Sequence, residues 1–235
     1  TQVEGVHLFR VIRDTDMVIQ DDEADDLLET VDRGLKQLRY GALSLLQVEA
    51  DMPRRVLDIL IDNFEVGHDV VVRTSARMEL GDLSAVYALH RPALKDPSFH
   101  PRTLWGPDDT DKVFEHIADQ DFLVHHPFDS FTSVETFLKA AVADPHVVAL
   151  KITLYRIGAD SPLVDLLIQA ADQGKQVAVL VELKARFDEK NNIAWATRLE
   201  SAGVHVVYGL VNLKVHCKLC LVVRQESGGI RRYAH

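Results

Sequence analysis

Cysteine is nearly absent: Cys217 and Cys220 are the only two in 235 residues. So few thiols rule out a disulfide scaffold and point to a reduced, cytoplasmic protein. Three positions apart on one strand, the two side chains face opposite sides of a sheet, as small core residues rather than bonding partners. A Cys-x-x-Cys metal or redox site is disfavoured as well, because such motifs sit on turns or helix starts. Long apolar runs are missing. No stretch approaches the roughly 20 residues that cross a bilayer, and the first residues carry no signal-peptide pattern. Positive charge is in deficit, with 26 Lys and Arg against 36 Asp and Glu and a net charge of −10. A general nucleic-acid binder wants a basic surface, so that class is set aside. The chain also has no internal repeat and no low-complexity segment.

What is present is the composition of an ordinary globular chain, 47% hydrophobic and 26% charged. The acidic stretch QDDEADDLLETVD (Gln20–Asp32) reads as a solvated helix start, where carboxylates favour the positive end of the dipole. It has no ligand-spaced loop with a central glycine, so metal binding is not its reading. GVHLFRVIRD is a short strand, and Asp21–Arg39 a helix with Leu27, Leu28, Val31, Leu35 and Leu38 on one apolar face. ALSLLQVEA follows as a strand, and Pro53 opens a helix over Met52–Phe64. A short helix lies in GDLSAVYALH, the rest being irregular chain. These pairs predict a small α+β or ferredoxin-like unit. His90–Asp109 holds four of the eight prolines, a boundary signal that places the break near residue 102, giving domains of 1–102 and 103–235.

After the break, strand and helix alternate. FLVHHPFDSF ends a strand, Ser133–Ala143 is a helix, and VVALKITLYRI is a strand. SPLVDLLIQAADQGK is a helix, with Pro162 just inside its start and Gly174 just past its end. QVAVLVEL is a near-continuous apolar strand, NNIAWATRLESAG a helix closed by Gly203, and VHVVYG another strand. KVHCKLCLVVRQ and IRRYAH form a hairpin across Ser227-Gly228-Gly229. The expected fold class is α/β: a mixed, mostly parallel sheet covered by helices on both faces, with an antiparallel hairpin at one side. His235 falls mid-strand, which suggests a fragment.

Ligands of open α/β sheets gather at the carboxyl ends of the parallel strands. Those ends hold Tyr155 and Arg156 after KITL, then Glu182, Lys184 and Arg186 after VAVLV. In NLKVHCKLCLVV (Asn212–Val223), read as a buried strand, His216 and Lys218 share one face. Guanidinium groups bind phosphate in bidentate fashion and lysine adds a point charge, so the set describes a polyanion site. Neutral imidazole is a good nucleophile toward phosphorus, and Lys218 beside it can stabilise the group in transfer. Taken singly, each residue has a blander reading. Arg156 and Arg186 pair with Asp160 or Asp188 at the surface, Lys184 is an exposed sheet-end lysine, His125 and His126 are loop residues, and His216 is structural. Only their joint occurrence favours the phosphate site.

NLKVHCKL, the stretch KITLYRIGADSPLVDLLIQAADQGKQVAVLVELKARFDEKNNIAWATRLESAGVHVVYG and the closing RRYAH resemble bacterial polyphosphate kinase of the first family. The resemblance covers nearly the whole chain, most specifically from Asp121 to His235; HLFRVIRDTDMVI and LKQLRYG fit the end of that family's head domain. It implies a phospholipase D-like catalytic domain and reversible transfer of the ATP terminal phosphate to inorganic polyphosphate through a phosphohistidine. His216 matches the histidine that is phosphorylated. Arg156 in LYR and Arg186 in KARFDE match two arginines of a magnesium-phosphate site. Arginine has no lone pair to offer Mg²⁺, so both are read as binding the phosphates that hold the metal. The family's partners, ATP/ADP and inorganic polyphosphate, are expected, as are a homo-oligomer and peripheral association with the inner membrane. The resemblance also places a second histidine and an ATP-contacting tyrosine beyond residue 235, so the chain alone is expected to be inactive. Phospholipase D motifs carry Asp after His-x-Lys where this chain has Val223, which disfavours a diesterase or nuclease. The remaining alternative is a catalytically silent oligomerisation fragment.

Overall fold

The computed structural model describes residues 3–15, 27–37, 41–76, 78–106, 109–158, 161–209 and 213–235. It divides into two compact units, Thr1–Val18 with Arg33–Pro97, and Ile19–Asp32 with Ser98–His235. Much of the acidic stretch, and Asp160, lie outside the described residues.

In the first unit β1 (Phe9–Arg13) pairs antiparallel with β2 (Leu43–Glu49), and β2 pairs parallel with β3 (Val71–Thr74). Helix α1 (Leu27–Gln37) lies between β1 and β2 in sequence, with Glu29 in its first turn and Lys36 in its last, as the helix dipole favours. Helix α2 (Arg54–Phe64) makes the crossover from β2 to β3, and Pro53 is its N-cap. One core of Leu43, Leu46, Val48, Met52 and Leu57 joins this sheet to α2. Short α3 (Leu83–Ala88) follows. Strand β3 occupies chain expected to be irregular: its apolar run of Val70, Val71 and Val72 is short, and only pairing with β2 makes it a strand.

The second unit runs α4 (Val113–Asp119), α5 (Thr132–Ala143), β4 (Val147–Leu154), α6 (Leu163–Asp172), β5 (Gln176–Val181), α7 (Glu189–Ser201), β6 (His205–Tyr208), β7 (Cys220–Glu226) and β8 (Gly229–Ala234). The sheet order is β6-β5-β4-β7-β8. Strands β4, β5 and β6 are parallel, and the β7–β8 hairpin enters antiparallel beside β4. This is the mixed, mostly parallel sheet flanked by helices expected from the sequence. Gly174 at φ 81° and Gly203 at φ 77° stop α6 and α7 in the left-handed conformation that glycine adopts without steric cost. Pro162 caps α6 rather than sitting in its first turn.

Burial is one-sided. Leu150, Ile152, Leu154, Val177, Val179, Val181, Val222 and Tyr233 are buried and share one face by register. The other face carries Lys151, Ala178, Leu180, Val207 and Val223, all half-buried or exposed. Coverage of both faces was expected, and chirality explains the difference. Strands β5 and β6 are added successively on the same side of β4, so two right-handed crossovers deliver α6 and α7 to one face. Helix α5 packs beside α6 there, and Phe114 of α4 meets Tyr233 edge-on at 4.8 Å.

Two further expectations are corrected. The segment FLVHH is not a strand: the Asp129 carboxylate accepts the His125 N–H at 2.7 Å and the Arg102 Nε–H at 2.8 Å, closing a turn around Pro127. Nor is Val215–Leu219 part of a strand, because β7 begins only at Cys220. There one backbone bond remains, from the Thr153 N–H to the Leu219 carbonyl at 2.9 Å, and the Thr153 hydroxyl adds two more, donating to the Cys217 carbonyl at 2.6 Å and accepting the Leu219 N–H at 2.8 Å. Cys217 is therefore exposed outside the strand, while Cys220 is buried inside it with its thiol pushed up to about 12 by burial.

Candidate functional site

Because β7 runs antiparallel to β4, the residues that precede it arrive at the carboxyl end of the parallel strands. Cys220 pairs with Ile152, so the segment bearing His216 and Lys218 passes the end of β4, where Tyr155 and Arg156 emerge. Both His216 and Lys218 are exposed. A cavity of about 370 Å³ opens here, lined on its polar side by Tyr155, Arg156, His216, Lys218 and His235.

Tyr155 is the hub. The His216 ring meets it edge-on with centroids 4.6 Å apart, and Lys218 Nζ lies 4.3 Å from its centroid. Arg156 and Lys214 approach the same ring at 5.5 and 5.7 Å. An electron-rich ring face gathers cations whose mutual repulsion would otherwise spread them. Lys218 also donates to the carbonyl of His216 at 2.6 Å, which fixes its ammonium beside the imidazole's own backbone.

Arg156 is held on two sides. Its Nε–H meets Asp188 Oδ2 at 2.7 Å, and another N–H donates to the Arg186 carbonyl at 2.7 Å. Phe187, between those two residues, sits at φ 74°, a conformation costly for a non-glycine residue, and the turn it makes carries the chain from Arg186 to Asp188. The surface pairing of Arg156 with Asp188 is thus real, and the arginine lines the cavity all the same. Arg186 is tied to Arg156 through its backbone, its own guanidinium lying over the Phe187 ring at 5.5 Å. Lys184 is half-buried, and its N–H donates to Glu182. Neither Arg186 nor Lys184 lines the cavity beside His216. Burial, and secondarily the charge of His126, hold the His235 imidazole below its ordinary value.

Beneath this surface lies a polar layer that the sequence barely announced. Glu182 is 2% exposed and Asn192 3%. The Asn192 amide donates to the carbonyls of Tyr155 at 2.7 Å and Glu182 at 2.9 Å, tying α7 to the ends of β4 and β5. Asparagine in the first turn of a helix gives no such signal; only the sheet topology brings those carbonyls to it.

The side chains here do not by themselves make a Mg²⁺ site. The arginines have no lone pair, Asp188 is paired with Arg156, and both Glu182 oxygens accept backbone N–H groups. Among the described residues, one trio of metal-ligating type has its ligand atoms within 4.8 Å of one another, and it is His7, Glu49 and Asp51 of the first unit. Val223, where a phospholipase D motif has Asp, lies in β7 opposite Ala149 and Arg232.

Comparison with known proteins places the chain in a family. Residues 112–235 match the family model described as polyphosphate kinase C-terminal domain 1, and residues 1–86 the one described as polyphosphate kinase middle domain. A protein of Mycolicibacterium gilvum named polyphosphate kinase is 49% identical over 97% of this chain, which covers 32% of that protein. Polyphosphate kinase 1 of Chlorobaculum tepidum is 46% identical, with 97% of this chain and 33% of the relative covered. The crystal structure of polyphosphate kinase from Porphyromonas gingivalis superposes with a TM-score of 0.66 at 26% identity, over 95% of this chain and 31% of that one. The chain thus spans about a third of the length of the relatives it matches.

Proposed function

The chain belongs to the polyphosphate kinase family, and from that premise we propose that it carries the phosphoryl-accepting part of an ATP:polyphosphate phosphotransferase. The observation that supports this reading is the cavity shared by His216, Lys218 and Arg156 at the strand ends. An imidazole nitrogen of His216 attacks the terminal phosphorus of ATP, the bond to the bridging oxygen breaks, and ADP leaves. The terminal oxygen of a polyphosphate chain then attacks the same phosphorus, the P–N bond breaks, and the chain grows by one phosphate while the imidazole is restored. The reverse sequence makes ATP. Phosphoryl transfer depends on positioning and charge stabilisation, which Lys218 and Arg156 supply beside the Tyr155 ring. Arg186 and Lys184 extend the cationic surface along the neighbouring loop. Arg156 and Arg186 would bind the phosphates that hold Mg²⁺, and the ion would supply further charge neutralisation there.

The same proposal assigns residues 1–102 to the end of a head domain and 103–235 to the first catalytic domain. It takes ATP/ADP and inorganic polyphosphate as partners. It also takes the whole protein as a cytoplasmic homo-oligomer associated peripherally with the inner membrane. No helix among the described residues is long and apolar enough to cross a membrane.

The test uses the 235-residue chain. It is expected to bind polyphosphate, with affinity falling as salt rises, and to make none from ATP. Salt-independent binding, or none by a folded chain, removes the phosphate cleft. Synthesis by the chain alone shows that the site is self-contained.

A further inference from the structure

We infer that the Glu182 carboxylate and the Thr153 hydroxyl form a two-point clamp that positions His216 for phosphoryl transfer. The inference rests on His216 being the phosphoryl acceptor, and it answers a physical problem. The segment that carries His216 is exposed and precedes β7, so no regular strand ladder holds it. A nucleophile on a loose segment is a poor one, since about 1 Å of misplacement can cost on the order of 10²-fold in rate.

Glu182 is an expensive residue for its location. At 2% exposed, an ionisable group must be compensated by hydrogen bonds, and an apolar side chain would fill the space at less cost. Both its oxygens are spent on backbone N–H groups. Oε1 accepts from Lys184 at 2.9 Å, and Oε2 accepts from Val215 at 2.7 Å. The second bond reaches across the fold to the residue immediately before His216. On the other side, Thr153 Oγ1 donates to the Cys217 carbonyl at 2.6 Å, and the Thr153 N–H meets the Leu219 carbonyl at 2.9 Å. His216 lies between these two fixed points, with its ring edge-on to Tyr155. The Tyr155 carbonyl in turn shares the buried Asn192 amide with the Glu182 carbonyl, so ring platform and clamp are set by one buried hub. Glu182 and Thr153 are positioning residues: they act on the imidazole through the backbone.

The test takes Glu182→Gln, Thr153→Val and His216→Ala in the whole protein. Glutamine offers one oxygen where the site needs two, and turns an N–H toward an N–H. Valine keeps the shape of threonine and removes the hydroxyl. With each clamp variant we expect kcat to fall about 10- to 100-fold while KM for ATP and for polyphosphate stays within about twofold, because substrate contacts remain. Thr153→Val keeps the test open if Glu182→Gln does not fold. Unchanged kcat in a folded variant overturns the clamp, as does a loss confined to KM. The His216→Ala control separates the two readings. If it still forms labelled phosphoenzyme, the acceptor assignment fails. If it loses the label while the clamp variants turn over normally, only the clamp fails.

Discussion

Arg156 is arranged before any phosphate arrives. Asp188 and the Arg186 carbonyl fix two of its N–H groups, and its guanidinium carbon lies over the Tyr155 ring 5.5 Å from the centroid, so little side-chain freedom remains to be lost on binding. Arg156 lines the cavity, where N–H groups left over from those two contacts can meet a phosphate as a planar fork. Removing one partner of such a charge-assisted contact costs about 2–5 kcal/mol when it is dry. The Arg156 side chain is 51% exposed, which puts Arg156→Ala at the low end, about 2 kcal/mol or roughly 30-fold in rate. Lysine restores charge without the fork or the Asp188 geometry, so Arg156→Lys is expected to recover only part. Steady-state rates of both variants check this, and full activity in the lysine variant shows that net charge alone matters.

At the scale of elements, a second charge cluster lies at the opposite end of β4 from the cavity. Arg224 of β7 donates to Asp144 Oδ2 at 2.7 Å and to Glu226 at 3.1 Å, and Tyr233 of β8 donates to Glu226 at 2.5 Å. Burial pushes the Asp144 carboxyl up, but the Arg224 guanidinium and the His146 N–H outweigh it and hold the group below its ordinary value. The Tyr233 hydroxyl first, and then Arg224, do the same to Glu226. Both carboxyls bind protons less readily folded than unfolded. Their contribution is therefore complete above the ordinary carboxylate range and is lost as pH falls through it toward the folded values. Urea midpoints are expected to drop between neutral pH and about pH 3. Asp144→Asn should start about 1–3 kcal/mol lower at neutral pH and fall less in acid. An equal acid loss in the variant shows that the pair does not link β4 to β7.

The elements were legible where periodicity spoke: α5, α6, α7 and the strands between them have the apolar spacing that burial requires. The start of β7 was not, because VHCKL has strand-like composition and Thr153, distant in sequence, supplies the bonds that take the place of a full ladder there. One-sided coverage of the sheet was also hidden, since it follows from strand order rather than from composition. In the site, His216, Lys218 and Arg156 could be named from the sequence as candidates for binding phosphate, and the structure brings them to one cavity. Glu182 and Asn192 could be read there but not understood, as their partners are backbone groups of other elements.

For the whole molecule, charge sets a condition on function. A chain with net charge −10 repels a polyanion at long range, so any affinity must come from a local cationic cluster. That cluster is assembled here by topology: parallel strand ends contribute Tyr155 and Arg156, and an antiparallel hairpin brings His216 and Lys218 back to them. The central claim is that this assembly presents His216 as the phosphoryl acceptor. The most direct measurement supplies the whole protein with γ-labelled ATP, quenches in alkali and maps the label by mass spectrometry. We expect label that survives alkali, is released by acid, sits on His216 and is absent from a folded His216→Ala variant. Label on another residue, or undiminished label in that variant, means that the acceptor lies elsewhere.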